Sequence, residues 1–68
     1  MKKRSVTING HRSSITLEDA FWIELQALAK TRGLSLNGLI TEIDTTRPPD
    51  ENLSSTLRVY VLERVKNG

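Results

Sequence analysis

The chain has 68 residues, no cysteine, a single histidine (His11) and a formal net charge of +2. Disulfides and a cysteine/histidine zinc cage are therefore excluded. No run of about 18 apolar residues exists, so no membrane-spanning helix is expected. A domain of this size buries only roughly 60% of the surface its unfolded chain exposes. Below about 70–80 residues, one core rarely suffices unaided. With disulfides and metal set aside, self-association is the remedy left open, and the starting expectation is a dimer. A small bundle that folds alone is the alternative. One domain over 1–68 is all the length allows.

Charge is unevenly placed. Lys2, Lys3, Arg4 and Arg12 precede the first acid, Glu18, while the rest of the chain carries more acids than bases. A basic front on a mildly acidic body suggests a polyanion partner at that end; solubilising lysines near a terminus are the plain alternative. Met1-Lys2-Lys3-Arg4 resembles the start of a signal peptide, but no apolar stretch follows it. A soluble, cytoplasmic protein is expected.

The segment 1–16 reads as a basic arm followed by a strand or hairpin. Val6 and Ile8 alternate with Ser5 and Thr7, a strand period. Asn9-Gly10 is a strong hairpin signal, because a type I′ turn needs positive φ at both central residues. The second arm alternates too. Ser13, Ile15 and Leu17 fall on one side, and Arg12, Ser14 and Thr16 on the other. So few apolar residues leave a hairpin marginal without a partner surface.

A first helix is expected over 17–32, capped by Thr16, with Glu18 and Asp19 complementing the dipole. Leu17, Phe21, Leu25 and Leu28 form its core stripe, widened by Trp22 and Ala29. Ala20, Ile23 and Ala27 make a second apolar flank, which asks for a second neighbour. Gly33 marks the stop. Ser35 caps a second helix over 35–46, whose stripe is Leu36, Leu39, Ile40 and Ile43. Gly38 costs about 1 kcal/mol against alanine there; it either permits a close approach or has no role. Arg47-Pro48-Pro49 ends that helix. Asn52 caps a third helix over 52–66, with a stripe of Leu53, Leu57, Tyr60, Val61 and Val65. Val59 and Leu62 are apolar off that stripe.

Catalytic constellations are missing. Ser13, Ser14, Ser54 and Ser55 have no activating base at a motif spacing. The acid pairs Glu18/Asp19 and Asp50/Glu51 sit at helix starts, where dipole compensation explains them. No phosphate loop is present. The expectation is a protein that is not an enzyme and takes no cofactor or metal. Phe21 and Trp22 read as core, not as a stacking platform.

A strand with basic and hydroxyl side chains, a helix, a glycine stop and a Ser-capped second helix occur in order over residues 11–44. That order resembles the ribbon-helix-helix family of Arc-type and methionine-type repressors. The resemblance rests on Arg12-Ser13-Ser14-Ile15-Thr16-Leu17, the helix after it, and the turn Gly33-Leu34-Ser35-Leu36-Asn37-Gly38-Leu39-Ile40. Arg4-Ser5-Val6-Thr7-Ile8, Phe21-Trp22, Ile43-Asp44 and Asn52-Leu53-Ser54-Ser55 extend it to a small bacterial branch with an extra C-terminal helix.

The resemblance implies a mainly α fold with a short β-ribbon, formed as an intertwined homodimer in which each subunit gives one strand. It implies a DNA-binding transcriptional regulator whose ribbon enters the major groove of double-stranded DNA. The base-reading positions carry over to Arg12, Ser14 and Thr16, with Thr16 alternatively spent on capping. The phosphate site carries over to the second helix's start, Ser35, Leu36 and Asn37. Lys2, Lys3 and Arg4 would add backbone contacts. Two further readings stay open. A hairpin folded onto the ribbon edge would give four strands per dimer. A scaffold for a protein partner, docked through the third helix, would bind DNA weakly or not at all. An antitoxin is a variant of the DNA-binding reading.

Overall fold

In a computed structural model, residues 2–67 are described, with side chains from Lys3 to Asn67. The order is β1 (Lys2–Ile8), β2 (His11–Leu17), α1 (Asp19–Thr31), α2 (Leu36–Thr45) and α3 (Leu53–Asn67). The strands form a two-stranded antiparallel ribbon within one chain. Asn9 (φ 51°) and Gly10 (φ 79°) make its two-residue turn, as a type I′ hairpin demands. The resemblance implies one strand from each subunit; here both come from the same chain.

Alternation sorts the ribbon into two faces. Val6, Ile8, Ile15 and Leu17 are buried against the helices. They join Leu25 and Ala29 of α1, Leu39, Ile40 and Ile43 of α2, and Leu57 and Val61 of α3 in one core. β1 rests on α2, and β2 on α3. The shortage of apolar strand residues is thus met within the chain, by three helices packed under one face.

The first helix begins later than the sequence suggests. Thr16 is in the ladder opposite Lys3, so it cannot cap α1. The N-cap is Glu18, whose side chain makes no capping hydrogen bond. Leu17 is fully buried, but from the strand and not from a helical stripe. The helix ends as expected. Gly33 N–H donates to Lys30 and Leu34 N–H to Ala29, the paired bonds of a Schellman stop. Ser35 caps α2, with Gly38 N–H donating to its Oγ at 3.0 Å. A Cβ on residue 38 would lie 3.0 Å from that Oγ, so Gly38 leaves room for the cap and not for a neighbouring helix. Asn52 caps α3, accepting from Ser55 N–H at 2.9 Å.

Outside the core, Ile23, Val59, Leu62 and Val65 remain exposed. Val65 therefore leaves the stripe assigned to it, and α3 buries only Leu57 and Val61 fully.

Candidate nucleic-acid interface

The outward face of the ribbon follows from the register. Lys3 lies opposite Thr16, Ser5 opposite Ser14, and Thr7 opposite Arg12. Thr16 is half-buried and the other five are exposed. Opposed residues on one face have Cβ atoms about 4.5–5.5 Å apart, and successive ones along a strand repeat every ~7 Å. Two cations and four hydroxyls share this face, with no carboxylate among them. Among the described residues, none of the six side chains has a hydrogen-bond or ion-pair partner in the protein. A face of uncommitted donors and acceptors can form hydrogen bonds to another molecule without first breaking internal ones.

Other arginines are committed. Arg4 points to the opposite face, in register with Ile15. Its guanidinium lies 4.4 Å from the centre of the Trp22 ring and reaches Asp19 at 3.2 Å. Its Nε is buried without a partner. Arg4 is therefore part of the packing between β1 and α1, which corrects its assignment to a DNA-contacting arm. The segment read as an arm is a strand. Trp22 has a polar duty the sequence did not suggest, as the platform for that cation. The expectation placed on Lys2 lies outside the described side chains; Lys3 projects from the outward face.

Arg58 Nε donates to Glu18 Oε1 at 2.8 Å. Its Nη2 donates to the Thr16 carbonyl at 3.4 Å. That guanidinium, together with a backbone hydrogen bond at Glu18 itself, holds the Glu18 carboxyl below its ordinary pKa. Arg32 binds Glu42 through both terminal nitrogens, one contact being 3.0 Å. Glu42 is likewise held below its ordinary value, chiefly by Arg32. These pairs fasten helices to one another and to β2.

Ser35, Leu36 and Asn37 stand together at the start of α2, away from the strands in sequence. Ser35 and Asn37 are exposed, and Leu36 is half-buried. The Ser35 cap takes the Gly38 amide, and the Leu39 amide bonds the Ser35 carbonyl. The first-turn amides of Leu36 and Asn37 have no acceptor within the helix. They are the groups at this end that an anion could take.

Sequence reasoning passed over Ser5 and Thr7. The signal was present: both alternate with Val6 and Ile8, and across a type I′ turn they face Ser14 and Arg12. Among the described residues, no group of three histidine, aspartate or glutamate side chains could hold a metal ion. No described helix is long and apolar enough to cross a membrane.

A family model described as a ribbon-helix-helix domain matches residues 1–65. No curated protein and no solved structure matches the chain.

Proposed function

Because the chain belongs to the ribbon-helix-helix family, we propose that it binds double-stranded DNA through the outward face of its ribbon, as a transcriptional regulator in the bacterial cytoplasm. The family generally binds DNA, its members acting as regulators or antitoxins. One observation carries the reading to this chain: the side chains of Arg12, Ser14 and Thr16 share the outward face of the ribbon with no carboxylate, and have no partner among the described residues. A two-stranded ribbon fits the roughly 12 Å major groove. Arg12 suits guanine O6 and N7, and the hydroxyls accept or donate to either base of a pair. The amides of Leu36 and Asn37, behind the Ser35 cap, are suited to a phosphate, and Lys3 adds charge.

Two copies are proposed to act together as a homodimer, as the family generally does. Support comes from a shallow apolar groove of about 230 Å³ between α1 and α3, lined by Ala20, Phe21, Glu24, Val61, Leu62 and Val65. The same strip also supports a second reading, a scaffold that docks another protein and uses DNA little.

Selection from a random duplex pool tests the first reading. An enriched site, lost with Arg12→Ala and weakened steeply by salt, is the expected result. No enrichment at low salt, with a partner captured through the α1/α3 strip, would favour the second.

A further inference from the structure

Resting on the reading of the ribbon as the DNA-binding face of a homodimer, we propose that β1 is the outer strand of a four-stranded sheet built by two copies. Its outward side chains, Lys3, Ser5 and Thr7, then meet the phosphates of the groove walls. The inner strands, β2 of each copy, carry the side chains that meet bases.

The edge of β2 that faces away from β1 is closed at one end only. Ile8 and His11, which flank the two-residue turn, exchange both hydrogen bonds. By alternation from that pair, His11, Ser13 and Ile15 direct their amides and carbonyls to β1, and Arg12, Ser14 and Thr16 direct theirs away from it. α3 takes only the last of these. The Thr16 N–H donates to Ser54 Oγ at 3.2 Å, and the Thr16 carbonyl accepts from Arg58. The amides and carbonyls of Arg12 and Ser14 have no partner among the described residues. Beside them the helices leave an open cleft of about 410 Å³, lined by His11, Ser13 and Ser14 on one side and by Asp44, Arg47 and Asn52 on the other.

An open edge of this kind accepts a strand, and β2 of a second copy is the occupant it fits. Two identical edges related by a two-fold axis run antiparallel, so each supplies the N–H groups that the other's carbonyls need. This pairing also brings Arg12 of both copies onto one narrow face. The outer edge of β1 offers another pairing, but it begins at Lys2 and Lys3, and edge lysines discourage strand addition. Joining there would set the two β2 strands, with their arginines, at opposite margins of the sheet.

Width then divides the labour. Neighbouring strands lie about 4.8 Å apart, so the two inner strands span about 5 Å and the two outer strands about 14 Å. The major groove is roughly 12 Å wide. The inner pair enters it, and the outer pair straddles its walls, where the phosphates lie. The outward face of β1 suits that place. Lys3 is a cation, Ser5 and Thr7 are hydroxyls able to donate to phosphate oxygens, and all three are exposed. Such contacts position the sheet without reading sequence.

Two measurements test this. Amide hydrogen exchange of the dimeric wild type reads the sheet without DNA. Arg12 and Ser14 should exchange as slowly as Ser13, which is bonded to β1, while Ser5 and Thr7 on the outer edge exchange freely. Dilution to the monomer should release Arg12 and Ser14. Fast exchange at both in the dimer, or slow exchange at Ser5 and Thr7 in their stead, would overturn the proposal. A chain that stays monomeric at millimolar concentration would overturn it too.

The second measurement compares Lys3→Met and Thr7→Val with wild type on the selected duplex and on single-base variants of it. Both positions are exposed strand sites, so melting temperatures should hold. Lys3→Met should lower the slope of log affinity against log salt by about two, one phosphate for each copy. Thr7→Val should weaken binding about fivefold, equally on every duplex. Wild-type binding that falls with Arg12→Ala but is unmoved by both β1 variants would overturn the inference and leave the DNA reading intact. A base preference altered by either β1 variant would do the same. No wild-type binding at low salt would overturn both.

Discussion

The backbone N–H of Thr16 donates to the Ser54 Oγ, 3.2 Å away and 38 residues further along the chain. This bond joins the outer edge of β2 to the first turn of α3. An unpaired strand edge is a site for unwanted pairing, and covering it with a helix is one remedy. Arg58, one turn on from Ser54, adds to the cover at this end of the strand by donating to the Thr16 carbonyl and the Glu18 carboxylate. Ser54→Ala leaves the partly buried Thr16 amide without this acceptor. The expected cost is about 1 kcal/mol, read from urea unfolding. Faster hydrogen exchange at the Thr16 amide should accompany it.

Acid should loosen the helices that Glu18 and Glu42 hold. Both carboxyls sit below their ordinary value of 4.5 in the folded chain, through Arg58 and Arg32 respectively. A folded pKa below the unfolded one means that the unfolded chain binds the proton more readily. The stabilising contribution is therefore complete above about pH 5. It is lost as pH falls through 4.5 toward the lowered folded values. Thermal melting followed from about pH 6 to pH 3 should show a falling midpoint. Glu18→Gln with Glu42→Gln should flatten that fall. An unchanged slope in the double variant would assign the acid sensitivity to other groups.

Gly10 holds φ at 79° with open space around it. Strain, not crowding, is what a side chain meets there. Gly10→Ala should therefore cost about 1–2 kcal/mol, while Asn9→Gly should cost far less. Because the turn sets the register, the loss should also appear as faster exchange along β1.

Much of this arrangement is written locally, and some is not. The hairpin is legible in Asn9-Gly10 and in two alternating arms. The helix stops and caps at Gly33, Ser35 and Asn52 are legible because capping chemistry lies within four residues of the chain. The start of α1 is not. Thr16 followed by acids satisfies every local rule for an N-cap, but its amide and carbonyl are claimed by Ser54 and Arg58 from α3. A partner that far along the chain leaves no mark in the pattern. Arg4 is the opposite case. Counting back in twos from Val6 puts it on the inner face, yet three basic residues in a row read as a solvated arm. The Trp22 ring and Asp19, which make the inward position tolerable for a cation, come from the next helix. On the outward face, the grouping of Arg12, Ser14 and Thr16 is legible from period alone, and that of Ser5 and Thr7 from the same period carried across the type I′ turn.

Arg12 is the single long cation of β2's outward face, and its guanidinium has no partner among the described residues. Arg12→Ala should leave folding unchanged, since nothing internal is lost. It should cost about 1–3 kcal/mol of discrimination at one base pair of the selected site. Arg12→Lys should keep the salt slope but lose much of that discrimination, because a point charge lacks the planar fork. Binding isotherms on the selected duplex and on a single-base variant at that position separate the two effects.

The apolar strip gives the last prediction. Leu62 is 55% exposed and Val65 58% exposed on the α3 side of the strip. Neither contributes to the buried core, so charges placed there should leave the fold of one chain intact. Leu62→Glu with Val65→Lys would desolvate two charges in any interface built on the strip, at a cost of several kcal/mol. Light scattering at micromolar concentration should then report 7.7 kDa particles, where wild type reports twice that mass. Circular dichroism should be unchanged. On DNA, the variant should bind with lower affinity than wild type, because the second copy is lost. If it instead melts together with its dimer, self-association is part of folding and the closed single-chain core is not stable alone.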